Sequence, residues 1–335
     1  MNKLTWHKAI GKIIGAVAIL LVSLVATASA ATPTKRVRIL FADFSERMGI
    51  FFVAKDQRFF EEQGLEADLV QVNSGPVAVA AMAANEAEFY TVPATGSALG
   101  AMVSGLDLVW VAGMINKLDG YFYVSPKIQK PDDLKGKIIG VQSMGGGIWM
   151  FTMMTFDHWG ISPERDKIQL RVIGDQSVLV QALGAGIIEG AVLGYAYSSV
   201  VQRNGGRLLA DLGTLKIPYQ GTGLVARRGF IANSPDTVEK TLRAFVRANA
   251  FLQDKNNQPA VIRSLRKWLR LPASENTDDL YERMKSLYDR RISPTREGVQ
   301  NALRVLSKAD PKYAKLKVED LIDDRIVRKL EKESP

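Results

Sequence analysis

Val79-Ala80-Ala81-Met82-Ala83-Ala84-Asn85-Glu86-Ala87-Glu88-Phe89 returns 101 residues later as Val180-Gln181-Ala182-Leu183-Gly184-Ala185-Gly186-Ile187-Ile188-Glu189-Gly190. Leu69-Val70-Gln71-Val72 keeps that offset with Leu170-Arg171-Val172-Ile173, and Val37-Arg38-Ile39-Leu40-Phe41 matches Lys137-Ile138-Ile139-Gly140-Val141 at an offset of 100. Each copy reads as strand, helix, strand, loop, helix, strand. Only two copies exist and each is far longer than a solenoid unit, so the repeat predicts two similar α/β lobes and not an array. Two such lobes facing each other enclose a cleft.

The first thirty residues read differently. Lys3, His7, Lys8 and Lys12 make a basic start, residues 13–25 form an apolar stretch, and Ala28-Ser29-Ala30 supplies the small side chains of a cleavage site. Residues 1–30 are therefore expected to be a cleaved export signal and not a retained anchor, with Ala31 the first residue of a soluble periplasmic protein. No cysteine follows the apolar stretch, so no lipid anchor is expected. Removing three lysines with the signal takes the formal charge from +9 to +6, with both signs interspersed. That density is ordinary for an exported protein and gives no footing for a nucleic-acid partner.

The chain has no cysteine, which excludes disulfides, a thiolate nucleophile and a thiolate metal site. His158 is the one histidine beyond the signal, too few for a multi-histidine metal site or a general Ser-His-Asp set. It falls in the last turn of a helix closing on Gly160, where the helix dipole favours it without any functional role. No catalytic residue, metal or cofactor is expected. With 47% apolar residues, two lobes can each bury a core, and a monomer is expected.

In the first lobe the pattern predicts a strand over 37–41, a helix from about Glu46 to Gln63 ending at Gly64, a strand over 65–72, a helix started by Ser74 and Pro76, and a strand over 88–92. In the second it predicts a strand over 137–141, a helix from the glycine turn to Gly160, a strand over 170–173, a helix through Leu183 and a strand over 190–193. Residues 110–124 read as one outgoing crossover strand and 223–226 as the return, which makes a hinge near 121–124 and 222–226. From Asn233 the chain turns helical, with Val238, Leu242, Phe245, Asn249 and Leu252 on one face. These helices are expected to pack on the first lobe. The lobes are thus residues 36–122 plus 223–335, and 123–222. Arg263, Arg266, Lys267 and Arg270 read as a solvated face.

Ligands of open α/β sheets bind beyond the carboxyl ends of strands, where loops run into helix starts. The repeat locates those loops: Asp43, Phe44 and Ser45; Ser74 and Gly75; and the loop carrying Thr95. In the second copy they are Ser143-Met144-Gly145-Gly146-Gly147, residues 174–177, and the loop carrying Tyr195 and Tyr197. Unpaired backbone N–H groups at helix starts can grip an anion or a strong acceptor, and the three glycines allow close approach to the backbone. The competing reading of that turn is a plain helix start. Phe44, Met144, Tyr195 and Tyr197 suggest a partly aromatic wall, the two tyrosines being placed on one face of a strand. Thr222 joins the candidates at the return crossover. Arg47 is the one cation near these loops, and no buried arginine–carboxylate pair is evident. The glycine turn lacks the features of a P-loop or a dinucleotide fingerprint.

Phe59-Phe60-Glu61-Glu62-Gln63-Gly64-Leu65, Asp133-Leu134-Lys135-Gly136-Lys137-Ile138-Ile139-Gly140-Val141, Gln181-Ala182-Leu183-Gly184-Ala185-Gly186-Ile187-Ile188-Glu189 and Leu321-Ile322-Asp323-Asp324 give the chain a family likeness. It resembles the periplasmic solute-binding proteins of ABC transporters, in the nitrate/sulfonate/taurine-type group related to thiamine-precursor binders. The resemblance implies a two-lobed clamp that closes on a small polar or anionic organic solute and delivers it to a membrane permease. Group members often carry an acidic-proline pair after the last strand of the second lobe, where this chain has Gly194-Tyr195-Ala196-Tyr197, so the resemblance leaves the solute unnamed. A biosynthetic enzyme on the same fold and a ligand-sensing receptor are the alternatives. The enzyme would call for a histidine or cysteine cluster that the chain lacks.

Overall fold

The computed structural model describes residues 35–42, 45–72, 74–270 and 277–333; the expected signal at 1–30, together with Asp43, Phe44 and Asn73, lies outside the described residues. The first repeat copy lays down β1 (Lys35–Phe41), α1 (Gly49–Asp56), β2 (Leu65–Gln71), α2 (Gly75–Ala83) and β3 (Phe89–Thr91), followed by α3 (Gly96–Val103) and β4 (Leu108–Gly113). After β5 (Tyr121–Val124), the second copy supplies β6 (Ile138–Val141), α4 (Gly147–His158), β7 (Gln169–Val172), α5 (Gln176–Gly184) and β8 (Gly190–Leu193). Then come α6 (Ser198–Arg203), β9 (Arg207–Asp211) and β10 (Gly223–Arg227).

The strands form two five-stranded sheets, in the orders β2-β1-β3-β10-β4 and β7-β6-β8-β5-β9. Three parallel strands of each come from one repeat copy, and the fourth runs antiparallel to its neighbours. From Gly75 to Gln176 and from Ala83 to Gly184 the step is 101, so α2 and α5 occupy the same place in the two copies. Beyond each helix the chain turns through a left-handed residue, Asn85 at φ 60° and Gly186 at φ 70°, again 101 apart. Asparagine is one of the few side chains that tolerates this conformation, which is why the turn survives without glycine.

Two sequence expectations need correction. Residues 110–124 are two strands in different sheets, because Gly113 and Gly120 (φ +90°) bracket a stretch that leaves one sheet before entering the other. This linker pairs with residues 212–222: Gly221 N donates to Ile115 O at 2.9 Å, Met114 N to Thr222 O at 2.8 Å, and Lys117 bridges Pro218. The helix expected over 46–63 breaks into a 3-10 turn at Glu46–Met48, α1, and a second 3-10 turn at Glu61–Gln63. Arg58 adopts φ 61° between them, and Gly64 at φ 70° ends the run as expected.

The rest of the chain is α7 (Arg228–Asn233), α8 (Pro235–Gln253), α9 (Gln258–Leu269), α10 (Thr277–Leu287), α11 (Arg296–Ala309) and α12 (Arg325–Glu333). The apolar stripe of α8 is buried, and Phe245 meets Phe51 and Phe60 edge-on at 4.6 and 5.3 Å, while Phe52 stacks on Trp268 at 4.8 Å. The polar interruption, Asn249, donates to Asp289 O and Arg290 O. These helices cover one face of the first sheet, as expected. α11 is the exception, because it also packs against α4 of the second lobe. A single apolar core therefore runs from α2 and α3 through α11 and Tyr219 into the second sheet.

Candidate functional site

Several predicted loops converge where the carboxyl ends of the two sheets face each other. Gly145, held at φ +72°, offers its carbonyl to Gly96 N at 3.0 Å, so the lobes are joined by a backbone hydrogen bond at the cleft lip. Thr95 caps α3 by accepting from Ala98 N, and its hydroxyl lies 3.0 Å from Ser97 Oγ. A Cβ on Gly75 would sit 3.1 Å from that same Ser97 Oγ, and one on Gly146 would meet Ser143 Oγ at 2.4 Å. Ser74, Gly75, Thr95 and Ser143 through Gly147 are thus brought together. Ser74 begins α2 without a side-chain cap bond, and Ser143 and Met144 are exposed.

A second cluster lies one helical turn along α4, around Phe151. Ser45 Oγ accepts from Arg47 N, turning the chain so that Glu46 and Arg47 point into the lobe interface. Glu46 Oε1 accepts from Tyr195 N of the other lobe at 3.1 Å, and Gln176 Oε1 accepts from Gly194 N at 2.6 Å. Arg47 Nε lies 2.6 Å from Asp119 Oδ2, with side chains only 10% and 1% exposed, and its guanidinium stands 5.4 Å from the Phe151 ring. Tyr288 donates to the carbonyls of Glu46 and Arg47, and Tyr219 donates to Ala94 O while packing edge-on against Phe151. Burial pushes the phenols of Tyr195, Tyr219 and Tyr288 well above their ordinary range, and the neighbouring Asp119 carboxylate adds to this, so all three are neutral donors.

A family model described as NMT1/THI5 like matches residues 46–258. The chain belongs to this family. Its match to YtlA of Bacillus subtilis (strain 168), named as a candidate binding protein, is 24% identical over 209 residues and covers 61% of this chain but only 62% of that relative's length. The periplasmic aliphatic sulphonate binding protein SsuA of Escherichia coli superposes with a TM-score of 0.70 at 19% identity, over 87% of this chain and 92% of that one. The periplasmic nitrate-binding protein NrtA of Synechocystis PCC 6803 does so at 0.68 and 13%, over 90% and 89%. These likenesses establish the two-lobed periplasmic-binding-protein fold, and the proteins named are binding proteins.

Within this family member, two sequence readings of the site are corrected. Tyr195 and Tyr197 lie on a 3-10 turn, not a strand, so they diverge. Tyr195 packs edge-on to Tyr121 and hydrogen-bonds Asp211, under the Arg283 guanidinium, whereas Tyr197 packs into the second-lobe core. The buried arginine–carboxylate pair that was not evident is present as Arg47 and Asp119. Thr222 is buried just before β10, its carbonyl taken by Met114 and Ile115. Asp43 and Phe44 lie outside the described residues. Among the described residues no group of His, Cys, Asp or Glu is placed to hold a metal.

Proposed function

We propose that this protein is the solute-binding component of an ABC importer, made with a cleaved signal at residues 1–30, and that it takes a small polar or anionic organic solute between lobes of residues 36–122 plus 223–335 and 123–222. The observation that carries the reading is the hydrogen bond between Gly96 N and Gly145 O, which brings loops from the carboxyl ends of both sheets together over one cleft. Family membership and the fold shared with a sulphonate-binding and a nitrate-binding protein support it. Ser143 through Gly147, Ser74, Gly75 and Thr95 hold the polar end of the solute, with the Tyr195 ring against its apolar part. Calorimetry against alkanesulfonates, taurine, nitrate and aminopyrimidines, guided by mass spectrometry of the protein purified from native periplasm, tests this. One of these classes should bind saturably, and Ser143→Ala should weaken it roughly tenfold through loss of a hydrogen bond to a charged group. A protein that co-purifies with nothing and gives no heat with any of them would sink the reading.

The permease partner is proposed to meet α2 and α5. Val77 and Val178, 101 residues apart in the repeat, are both exposed in the first turns of these helices, at 50% and 39%. Ala84 and Ala185 repeat the correspondence at the far ends, and neither helix carries a charge. Apolar surface shown at matched places on both lobes suits a partner that touches both lobes at once. Val77→Glu with Val178→Glu should leave solute affinity unchanged and abolish solute-dependent growth; unimpaired growth would place the docking surface elsewhere.

A further inference from the structure

α11 is tied to the first lobe at both ends. Near its start, Arg296 pairs with Asp324 at 2.7 Å, and the adjoining Ile322 bridges Trp110 of β4. Just past its end, the buried Tyr313 donates to Gly96 O at 3.0 Å. Between these anchors α11 meets the second lobe through charge as well as through apolar packing on α4. Arg304 grips both oxygens of Asp157 on α4, at 3.0 and 2.7 Å, and Lys308 Nζ adds a third contact at 2.6 Å. A cavity of ≈ 210 Å³, bordered by Met154, Ile217, Pro218 and Asn301, lies beside the cluster, so the ion contacts sit at the solvent-facing margin of the apolar contact between α11 and α4.

Any rotation that parts the sheets about α11 must break either the anchors or the ion cluster together with the apolar contact of α11 with α4. Arg296 is itself 47% exposed, but Trp110 and Tyr313 are buried, and Trp110 exchanges backbone bonds with Leu321 and Asp323. The cluster faces solvent, Arg304 and Lys308 being 46% and 64% exposed, so the cluster yields first. Asp157 is charged throughout the working range, because the Arg304 hydrogen bond, followed by that of Lys308, holds its carboxyl down at about 2. Exposed charges are screened over a Debye length of about 30 Å at 0.01 M salt and about 3 Å at 1 M.

We infer that Asp157, Arg304 and Lys308 form a latch that favours the closed clamp before any solute arrives and weakens as ionic strength rises. This rests on reading the protein as a solute clamp. Solute capture would then follow the salt of the surrounding medium, since a clamp already biased toward closure binds with less to overcome. The test is small-angle scattering of the full chain, freed of solute, in 10 mM and 1 M NaCl. Wild type should expand as salt is raised. Arg304→Met with Lys308→Met should be expanded at both concentrations, with the closed-to-open ratio lowered about fivefold at low salt. Asp157→Asn, which keeps the side chain's shape, should behave like the double variant, and unchanged circular dichroism separates opening from unfolding. Identical dimensions for wild type and variants at both salts would overturn the latch. The scattering needs no solute, so a chain that opens with salt yet binds no solute would count against the transport reading alone.

Discussion

Gly96→Val is expected to lower solute affinity about a hundredfold while leaving both sheets folded, the loss anticipated if the closed form falls to about one molecule in a hundred. Gly96 opens α3, and a Cβ there would lie 3.1 Å from Gly145 O, 3.3 Å from Gly145 Cα and 3.4 Å from Leu306 Cδ2. Two of those atoms belong to the backbone of the opposite lobe, so the added methyls act as a wedge at the lip. Within α3 the substitution is harmless, since valine is a better helix former than glycine. Calorimetry with the bound solute and scattering on the same samples check the result. A fall of less than threefold, with unchanged dimensions, would mean that the glycine turn moves aside and that the lip contact does not govern closure.

Arg47→Met is expected to cost about 3–5 kcal/mol of stability, because it leaves the Asp119 carboxylate buried with its charge partner gone. A melting temperature roughly 10 °C lower should accompany it. Removing both charges, as Arg47→Met with Asp119→Leu, should restore most of the loss, since a buried ion pair is often replaced by apolar side chains at little cost. Urea unfolding of the three variants measures the cycle. If the single variant is as stable as wild type, water reaches Asp119 and the pair is not a dry one. If the double variant is no better than the single, the penalty comes from lost packing against Phe151 and not from charge.

What could be read in advance was whatever local pattern decides. α2 and α5 are set by the same spacing of apolar residues in both copies, and the turns after them by residues that accept a left-handed backbone, so the repeat carried over into three dimensions residue for residue. The helix expected over 46–63 was misjudged because its apolar spacing continues through Arg58, and nothing in an arginine announces φ 61°. The buried Arg47–Asp119 pair was hidden for a different reason. Arg47 and Asp119 belong to different parts of the chain, and they meet only because residues 114–120 fold back against 212–222. The contact of Glu46 with Tyr195 N likewise depends on how two lobes face each other, which no helix or strand pattern encodes. α11 reads as amphipathic from its residues, but which surfaces take its two sides is a tertiary matter.

The way the sheets share strands also sets a timetable. Every strand of the second sheet lies between Tyr121 and Asp211, whereas the first, begun at Lys35, lacks its fourth strand until Gly223–Arg227 is supplied. A chain crossing a membrane amino end first would finish its second sheet before its first. Meanwhile β3 and β4 each present an unpaired edge across the gap that β10 will fill, and such an edge is a template for pairing with a neighbouring chain. The half of the molecule that starts earliest would therefore be the one exposed longest to aggregation as such a chain emerges.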